Sequence, residues 1–398
     1  MTQPNDLPRH DHVSWDSARR VAHLIGRPRT AVSRGLAAAR GCVLASPLVA
    51  PRAVPPVDRS AMDGYAVSGA GPWRVIGHVG VNCSASVELA DGQACSITTG
   101  AAVPVGATSV VKDEDVELDG EWVTAPTEVG KHIRRAGEEC REGEVVLPDR
   151  VMVDGPVLGL AASLGLDRLT VIPQPVVSVL ITGDELVHEG PSGAGRVRDA
   201  IGPMLPDLIT RSGAHLGELH HLPDTRNALL EALTQQPGDL ILVSGSSAAG
   251  PADHLRPVLQ ELGAELIVDG VSCQPGHPQA LARLADGRLV IGLPGNPFAA
   301  LTAFLTLGVA AVLGLRGLPL TTLPIASIPG GVDCHPHSTR LVPVRMTADG
   351  AVPVGHGGSA MLRGAAGADA LAVVDPGPAE AIAARLLPLD PGARPWAG

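Results

Sequence analysis

The feature that most constrains the fold is an alternation of apolar runs and helical periodicity that begins at residue 175. Apolar runs at 176–181, 240–243 and 289–291 have the length and composition of buried strands. Further strands are predicted at 215–222 and 266–268, and helices at 200–211, 225–233 and 253–262, the last with Asp253 as its N-cap. Strands that alternate with helices in this way predict an open, mostly parallel α/β sheet.

Three loops rich in small and acidic residues follow strands of this sheet, at 182–185, 244–250 and 293–297. Ligands bind at the carboxyl ends of the strands in open α/β sheets, and small residues let backbone N–H groups approach an anion. The loops therefore predict a site for a phosphate-bearing ligand, with ordinary turns as the alternative. The chain has no G-x-x-x-x-G-K-[ST] motif and no G-x-G-x-x-G motif, which disfavours a P-loop kinase and a standard Rossmann dehydrogenase.

Outside this α/β region the sequence predicts shorter elements. Helical spacing is predicted over 14–45 and 157–166, and short strands broken by glycine predict a β-rich module over 54–129 and a small β domain over 325–374. The apolar stretch 298–315 is short for a membrane span, so we predict a buried core helix.

Composition excludes several classes. The 398 residues carry 30 Lys and Arg against 41 Asp and Glu, a formal charge of −11, and aromatic residues make up 2%. Such a chain is poorly suited to phosphate backbones and to base stacking, so we expect no nucleic-acid partner. Six scattered cysteines without a C-x-x-C pair indicate reduced thiols, and the polar first twelve residues indicate no signal peptide, so we expect a cytoplasmic protein without a membrane partner.

One histidine-rich group invites a metal interpretation. Cys334, His335 and His337 are too closely spaced for a standard zinc site, so we predict a surface loop. The pair His220 and His221 is predicted to lie on a strand with a structural role.

A series of motifs resembles the molybdopterin molybdenumtransferase (MoeA/gephyrin) family. In chain order they are DRSAMDGYAV (58–67), TGA (99–101), IRRAGEE (133–139), TGDEL (182–186), Gly250 with Asp253, Pro275-Gly276, GLPGNP (292–297) and GSAML (358–362). The order and number of these motifs make the resemblance specific, and it extends over about residues 14 to 390.

The resemblance implies an architecture and a reaction. The expected domains are a helical linker (1–50 and 146–174), a β-rich insertion (51–145), an α/β molybdopterin-binding domain (175–317) and a C-terminal β-barrel (318–398). The implied activity consumes adenylylated molybdopterin and molybdate, requires Mg²⁺, and yields molybdenum cofactor and AMP. A homodimer is implied, and a molybdopterin-delivering enzyme is an expected partner.

The resemblance also implies site residues. Catalytic roles fall to Asp63 (reaching the site from the dimer partner), Glu185, Asp224 and Asp253, of which Glu185 and Asp253 are expected to bind Mg²⁺. The expected ligand-binding residues are Thr99, Arg134, Glu139, Thr182, Gly183, Asp184, Gly245, Gly250, Pro275, Gly276, His277, Pro294, Gly295, Asn296, Pro297 and Ser359. Turn aspartates, helix caps and surface ion pairs are structural alternatives for Asp63, Asp184, Asp253, Arg134 and Glu139.

The sequence departs from the family pattern near the oxyanion pocket. Gln274 and His277 occupy positions that usually carry lysines, and the usual serines are replaced by Ala248 and Ala299. Pro251 stands where an acid commonly follows the glycine of the 245–250 loop. A lost charged hydrogen bond costs about 1.5–3 kcal/mol, but water, Arg340, Arg345 or Ser247 are candidates to compensate.

Three functions therefore stay open at this stage. The first is a molybdopterin molybdenumtransferase. The second is a non-catalytic paralogue that binds molybdopterin or a partner as a carrier or scaffold. The third is a hydrolase or transferase that acts on another nucleotide with the same fold.

Overall fold

The computed structural model describes residues 13–82, 87–245, 253–355, 358–378 and 380–392. These residues fall into two compact units, the first containing residues up to 32, 41–43 and those from 171 onward, and the second containing 33–40 and 44–170. The chain passes between the units four times, after residues 32, 40, 43 and 170. The finer division into four domains stays a prediction.

The amino-terminal elements are short. In order they are β1 (Val13–Ser14), α1 (Trp15–Ile25), β2 (Val32–Gly35), α2 (Leu36–Ala39), β3 (Val43–Leu44) and β4 (Leu48–Val49). The helix predicted over 14–45 is confirmed at α1 and at the short α2, and it is wrong between them and after Ala39. Gly26 and then Pro28 follow α1, and both residues disfavour continuation of a helix.

The second unit is built from short strands. They are β5 (Arg59–Ser60), β6 (Gly64–Val67), β7 (Trp73–Val79), β8 (Gln93–Ile97), β9 (Ser109–Lys112), β10 (Glu117–Asp119), β11 (Trp122–Thr124), β12 (Ile133–Arg134) and β13 (Val145–Leu147), followed by α3 (Gly155–Ser163) and β14 (Arg168–Ile172). Six of them form a sheet of order β10-β11-β7-β8-β6-β9. Ala66, Val79, Cys95, Ile97 and Val110 pack in its core.

The first unit contains the predicted α/β sheet. Its elements are β15 (Val176–Thr182), β16 (Leu186–Val187), β17 (Val197–Arg198), α4 (Ile201–Arg211), β18 (His215–Leu222), α5 (Arg226–Gln235), β19 (Leu240–Ser244), α6 (Leu255–Glu261), β20 (Glu265–Asp269), β21 (Val271–Gln274), β22 (Ala280–Arg283) and β23 (Leu289–Leu293). The sheet has the order β18-β15-β19-β23-β22-β20, in which the first four strands are parallel and the last two pair antiparallel. The mostly parallel sheet is confirmed.

Successive residues of the central strands point to opposite faces and pack into two cores. Val179 and Ile181 of β15 pack in one core with Leu205 and Ile209 of α4. Leu180, between them, packs in the other core with residues of α5 and α6. Both faces of β15 are buried, which explains why its sequence reads as a nearly continuous apolar run.

The apolar stretch after β23 forms the core helix that the sequence predicts. It comprises α7 (Pro297–Ala303), a π-helical turn (Phe304–Gly308) and α8 (Val309–Leu315). This helix is long and apolar enough to cross a membrane, with a mean hydropathy of 2.2, but 89% of it is buried inside the protein. Trp15 of α1 donates a hydrogen bond to the hydroxyl of Thr306 at 2.9 Å, which satisfies the polar groups of both residues in this core.

The carboxyl-terminal residues form mostly strands. They are β24 (Ile325–Asp333), β25 (Thr339–Thr347), β26 (Gly350–Pro353), α9 (Leu362–Ala366), β27 (Ala370–Val374) and β28 (Glu380–Pro388). Together with β1 and β21 they form a seven-stranded sheet of order β1-β21-β25-β27-β28-β24, with β26 beside β25. The predicted class, a multidomain α/β protein with a β-rich carboxyl-terminal region, is confirmed.

Candidate active site

The three loops predicted at the ligand-binding edge start from neighbouring strand ends. The register pairs Ile181 of β15 with Ser244 of β19, and Ser244 with Leu293 of β23. Thr182 then donates a hydrogen bond from its hydroxyl to the carbonyl oxygen of Ser244 at 2.8 Å. A methyl group on Gly245, whose φ is +89°, would lie 2.4 Å from that hydroxyl, so glycine is required where the loops meet.

Three carboxylates gather beside these strand ends, and we call Asp184, Glu185 and Asp224 the acidic edge. The backbone N–H of Asp224 donates to Oδ1 of Asp184 at 3.1 Å. The carboxylate of Glu185 folds over Gly183, where a side-chain carbon would stand 3.0 Å from Oε2. Burial raises the pKa of Asp224, and the charges of Asp184 and Glu185 raise it further against the opposing effect of His254. The acidic edge is thus a concentration of negative charge that a cation would relieve.

Asp253 lies beside the acidic edge but is already paired. Its side chain is 4% exposed, its Oδ1 accepts the N–H of Leu255 at 3.1 Å, and its Oδ2 forms an ion pair with Arg256. Helix α6 begins at Leu255 and its N-cap is His254, so the predicted N-cap at Asp253 is wrong. The carboxylate nevertheless receives the first N–H of the helix, which is the chemistry that the sequence suggested.

A small cleft opens between these loops. Its lining combines predicted residues with neighbours that sequence reasoning did not select: Thr182, Asp224, Thr225, Leu229, Val243, Gly245, Asp253, His254 and Leu255. The structure therefore brings Thr182, Asp224, Gly245 and Asp253 to one place.

The divergent Pro-Gly turn, which we define as residues 274–277, packs against α7. The hydroxyl of Thr302 donates to the carbonyl oxygens of Pro275 at 3.1 Å and Ala299 at 2.8 Å. Gly276 has a φ of +107°, and a methyl group there would lie 2.6 Å from the same hydroxyl. The turn is consequently fixed by its own glycine and by the helix behind it.

Gln274 and His277, at the positions where the family usually has lysines, both contact neighbouring residues of this protein. His277 contacts the carbonyl oxygen of Val271 through Nδ1 at 2.9 Å, and since a carbonyl accepts, that nitrogen carries the proton. Gln274 contacts the ring of His335 at 3.4 Å. Neither residue supplies the permanent positive charge of a lysine.

Arg340 provides a permanent cation next to the Pro-Gly turn. Strands β21 and β25 pair in parallel with Gln274 opposite Arg340, and Arg340 donates to the carbonyl oxygen of Asp333. A cleft lies here, lined by residues that include Gln274, Pro275, Arg340 and Glu380. Arg345, the other arginine considered, instead donates to the carbonyl oxygen of Gly367.

The two remaining motifs of the first unit meet at the start of α7. Asn296 is the N-cap residue and Pro297 is the first residue of that helix, while Pro294 is buried and Gly295 is exposed. The side chain of Asn296 donates to the hydroxyl of Ser359 at 3.1 Å, and the N–H of Ala299 donates to the carbonyl oxygen of Ser359 at 3.0 Å. The structure thus brings Asn296 and Ser359, two of the expected ligand-binding residues, into direct contact.

Four predicted residues lie in the second unit. Asp63 and Thr99 are adjacent, because the N–H of Thr99 donates to Oδ1 of Asp63 at 2.7 Å. This bond is also what a turn aspartate would form. Arg134 and Glu139 are exposed, and their functional roles stay predictions. Gly250, together with Ser247, Ala248 and Pro251, lies outside the described residues.

Two features of the site escaped the sequence analysis. Arg256, three residues after Asp253, forms an ion pair with the carboxylate of Asp253. An acid followed three positions later by a base on a helix is a recognisable sequence signal for such an ion pair. The second is a cluster of His188, Asp199 and His221, whose members are too far apart in sequence to form a pattern. The strand position of His221 is as predicted; His335 and His337 lie in a loop, as predicted.

Comparisons with known proteins agree with this geometry. The profile of the MoeA N-terminal region (domain I and II) matches residues 13–165, that of the probable molybdopterin binding domain matches 178–313, and that of the MoeA C-terminal region (domain IV) matches 331–383. A protein named molybdopterin molybdenumtransferase 2 from Mycobacterium tuberculosis is 36% identical over 292 residues, which are 68% of this chain and 71% of that protein. A molybdopterin molybdenumtransferase from Staphylococcus aureus is 29% identical over 277 residues, 66% of each chain.

Solved structures give the same result for the fold. Two structures of a Pyrococcus horikoshii molybdopterin biosynthesis MoeA protein superpose with TM-scores of 0.78 and 0.77, at 26% and 22% identity, and each covers 95% of this chain and 99% of the other. The three MoeA-related profiles match this chain one after another, and the relative from Mycobacterium tuberculosis is similar over most of both chains. This chain therefore belongs to the molybdopterin molybdenumtransferase (MoeA) family of molybdenum cofactor biosynthesis.

Proposed function

We propose that this protein transfers molybdenum from molybdate to adenylylated molybdopterin and releases AMP. The observation that carries the proposal is the acidic edge, where Asp184, Glu185 and Asp224 lie beside the glycine-lined ends of β15 and β19. An adenylylated substrate carries phosphate groups, and phosphoryl chemistry depends on a positioned cation together with donors around the phosphate oxygens. The family to which the chain belongs supports the choice of substrate.

The acidic edge has the chemistry that Mg²⁺ requires. Mg²⁺ binds one or two carboxylates and completes its coordination with water and phosphate oxygens. The raised pKa of Asp224 reflects burial and crowding of like charges, which a divalent cation would offset. Bound there, Mg²⁺ would neutralise charge on the adenylyl phosphate during its hydrolysis.

The four acids have separable roles in this proposal. Glu185 is exposed and is the preferred ligand, with Asp184 orienting the backbone of Asp224 beside it. Coordination by Asp253 would require Arg256 to leave Oδ2, so we assign Asp253 first to positioning α6 through Leu255 and Arg256. Asp63 acts, in this proposal, from a second copy of the chain.

Arg340 takes part in binding the oxyanion in place of the missing lysines. It lies opposite Gln274 and lines the cleft beside the Pro-Gly turn. A guanidinium is always charged and its planar fork suits oxyanions, whereas Gln274 can offer one neutral amide donor group. Molybdate therefore binds mainly to Arg340, with weaker contacts from the turn.

The cellular setting follows from the family rather than from the described geometry. We propose a homodimer in the cytoplasm that receives its pterin from a separate enzyme and needs neither nucleic acid nor a membrane. The net charge of −11 and the burial of the 297–315 helix are consistent with this setting.

The changes at the Pro-Gly turn favour a second candidate, a binding protein without turnover. Gln274 and His277 stand where two permanent cations are usual, and Ala299 provides no hydroxyl. If Arg340 does not compensate, the protein binds the pterin without inserting molybdenum. The two candidates differ in one product, AMP.

The test is a reconstitution with the purified protein, adenylylated molybdopterin, Mg²⁺ and molybdate, scored for AMP and for active cofactor. The proposal predicts both products in equal amounts, and neither when Mg²⁺ is removed with a chelator. Tight pterin binding without AMP, beside an active relative as positive control, would instead establish the binding protein.

A further inference from the structure

Two histidines and one aspartate converge outside the acidic edge. Nε2 of His221 lies 3.2 Å from Oδ2 of Asp199, and Nδ1 of His188 lies 3.9 Å from the same oxygen. The two imidazole rings face each other with their centroids 3.7 Å apart and their planes at 50°. One ligand atom from each of the three residues lies within 4.8 Å of the others.

The carboxylate at the centre of this cluster is held in place by the fold. The side chain of Asp199 is 5% exposed, and its Oδ1 accepts the N–H groups of Ile201 at 2.9 Å and Gly202 at 3.0 Å at the start of α4. Its backbone N–H donates to the carbonyl oxygen of Val187 at 3.0 Å. Because Oδ1 caps the helix, Oδ2 is the oxygen that faces the two imidazoles.

Gly202 keeps the space that Oδ2 occupies. A methyl group there would lie 2.3 Å from Oδ2 of Asp199 and 3.5 Å from Nε2 of His221. Gly202 lies inside α4 with ordinary helical geometry, so its backbone does not require glycine. The requirement comes from the cluster itself.

We propose that His188, Asp199 and His221 bind one divalent transition-metal ion of the Zn²⁺ class. Two imidazole nitrogens with one carboxylate oxygen are ligands that Zn²⁺, Co²⁺ and Fe²⁺ prefer, whereas Mg²⁺ prefers oxygen alone. Ligand atoms about 2.0–2.2 Å from a tetrahedral ion lie about 3.3–3.6 Å from one another. Nε2 of His221 and Nδ1 of His188 lie 3.2 and 3.9 Å from Oδ2 of Asp199, close to that range. The two rings, whose centroids are 3.7 Å apart, would separate as their nitrogens turn toward the ion.

The exposure of the histidines indicates an open coordination sphere. Their side chains are 47% and 37% exposed for His188 and His221, while the carboxylate behind them is buried. Water would therefore complete the coordination, as at zinc sites with three protein ligands.

The ion would connect segments that the proposed function uses, although this inference does not depend on that function. His188 follows Glu185 by three residues, and His221 precedes Asp224 by three. Residues 185–187 and 197–199 are already joined by β16 and β17. A metal at this point adds a link from that segment to β18, and we expect it to stabilise the loop that presents Glu185.

The experiment measures Zn²⁺ binding to the full-length protein by competition with a chromogenic chelator, in millimolar Mg²⁺ so that oxygen-rich sites are filled. Co²⁺ is the spectroscopic probe, since its visible absorption reports nitrogen ligands and geometry. We expect one equivalent of Zn²⁺ to bind, and either His188→Gln or His221→Gln to weaken binding about tenfold or more. Thermal unfolding is recorded in parallel, and Zn²⁺ should raise the Tm of the unsubstituted protein.

The matched control is His220→Gln, which removes the neighbouring histidine of β18 that pairs instead with Glu218. It should bind Zn²⁺ as the unsubstituted protein does. Asp199→Asn tests the carboxylate without removing the cap, because an amide oxygen still accepts from Ile201 and Gly202, and it should weaken binding as the histidine variants do. Absence of binding at micromolar Zn²⁺, or equal binding by all four variants, would overturn the proposal and leave a metal-free hydrogen-bonded cluster.

Discussion

The acidic edge and the Pro-Gly turn belong to one compact unit, yet they relate to the family pattern in opposite ways. At the acidic edge, Asp184, Glu185 and Asp224 match the pattern, and the structure places them together beside the strand ends. At the Pro-Gly turn the backbone motif Pro275-Gly276 is present, but Gln274 and His277 replace lysines. The turn has the Pro-Gly motif of the family but lacks its usual lysines.

This contrast separates two requirements of the proposed reaction. Holding a cation and a phosphate depends on carboxylates and tight glycine loops, and both are present. Holding an oxyanion depends on positive charge, which in our proposal Arg340 on the neighbouring strand supplies in place of the turn. We therefore expect substitutions at the acidic edge to affect catalysis and substitutions at the turn to affect molybdate binding.

The largest effect is expected for Glu185→Gln. The amide keeps the size of the side chain but removes the charge that would bind Mg²⁺, so AMP release should fall about 100-fold or more. The measurement is the initial rate of AMP release at saturating substrate. Glu189→Gln, an exposed acid in the same loop, is the matched control and should leave the rate unchanged. Equal loss in both variants would contradict the assignment of Glu185.

The next effect is a gain of molybdate affinity in Gln274→Lys. A new charged hydrogen bond contributes about 1.5–3 kcal/mol, so the molybdate concentration that gives half-saturation should fall by about tenfold or more. Cofactor formation as a function of molybdate concentration measures this. Gln235→Lys adds the same charge on α5 and should cause no change. A loss of affinity in Gln274→Lys would mean that the turn does not face the oxyanion.

A smaller effect concerns the shape of the turn. Gly276→Ala introduces a side chain at φ +107° and 2.6 Å from the Thr302 hydroxyl, which should lower the free energy of unfolding by about 1–3 kcal/mol. Urea denaturation measures the change. Gly287→Ala has a φ of +94° and no atom within 4 Å of the new carbon, so it reports backbone strain alone. If the two variants lose equal stability, contact with α7 does not hold the turn.

The smallest effect is expected for Asp224→Asn, which should raise the free energy of unfolding and lower the rate of AMP release. The raised pKa of Asp224 means that its ionisation costs folding free energy, a cost that appears as the pH rises from the ordinary aspartate value through the raised one. The variant should therefore be more stable at pH 7, by about 0.5 kcal/mol, and lose this advantage near pH 4. AMP release should fall in the same variant.

Urea denaturation of Asp224→Asn at both pH values checks the sign, with Asp349→Asn, an exposed aspartate of a β-turn, as the control. A variant that is less stable than the unsubstituted protein at pH 7 would show that the carboxylate of Asp224 is favourably paired, contrary to our account.

The sequence predicted those parts of the fold that depend on local patterns. The apolar runs of β15, β19 and β23 and the helix after Asn296 were recognisable because burial on every side leaves few polar residues. The break of the first helix after Ile25 was missed although Gly26 and Pro28 signal it in the sequence. The start of α6 at Leu255 was misplaced because N-cap geometry depends on which side chain the folded backbone presents.

The sequence predicted those residues of the candidate site that belong to the family motifs. Contacts between motifs, such as Asn296 with Ser359, needed the fold to become visible. The pairing of Asp253 with Arg256 is local, an acid followed three residues later by a base, and the sequence analysis missed that spacing. The convergence of His188, Asp199 and His221 depends on long-range packing, and no spacing along the chain encodes it.

The most direct test of the contrast is to measure the half-saturating concentrations of Mg²⁺ and molybdate on the unsubstituted protein, beside a relative with lysines at the turn. Our account predicts a similar Mg²⁺ value for the two proteins and a higher molybdate value for this one. A higher Mg²⁺ value with an unchanged molybdate value would contradict it, because the altered charge at the turn would then affect the wrong ligand.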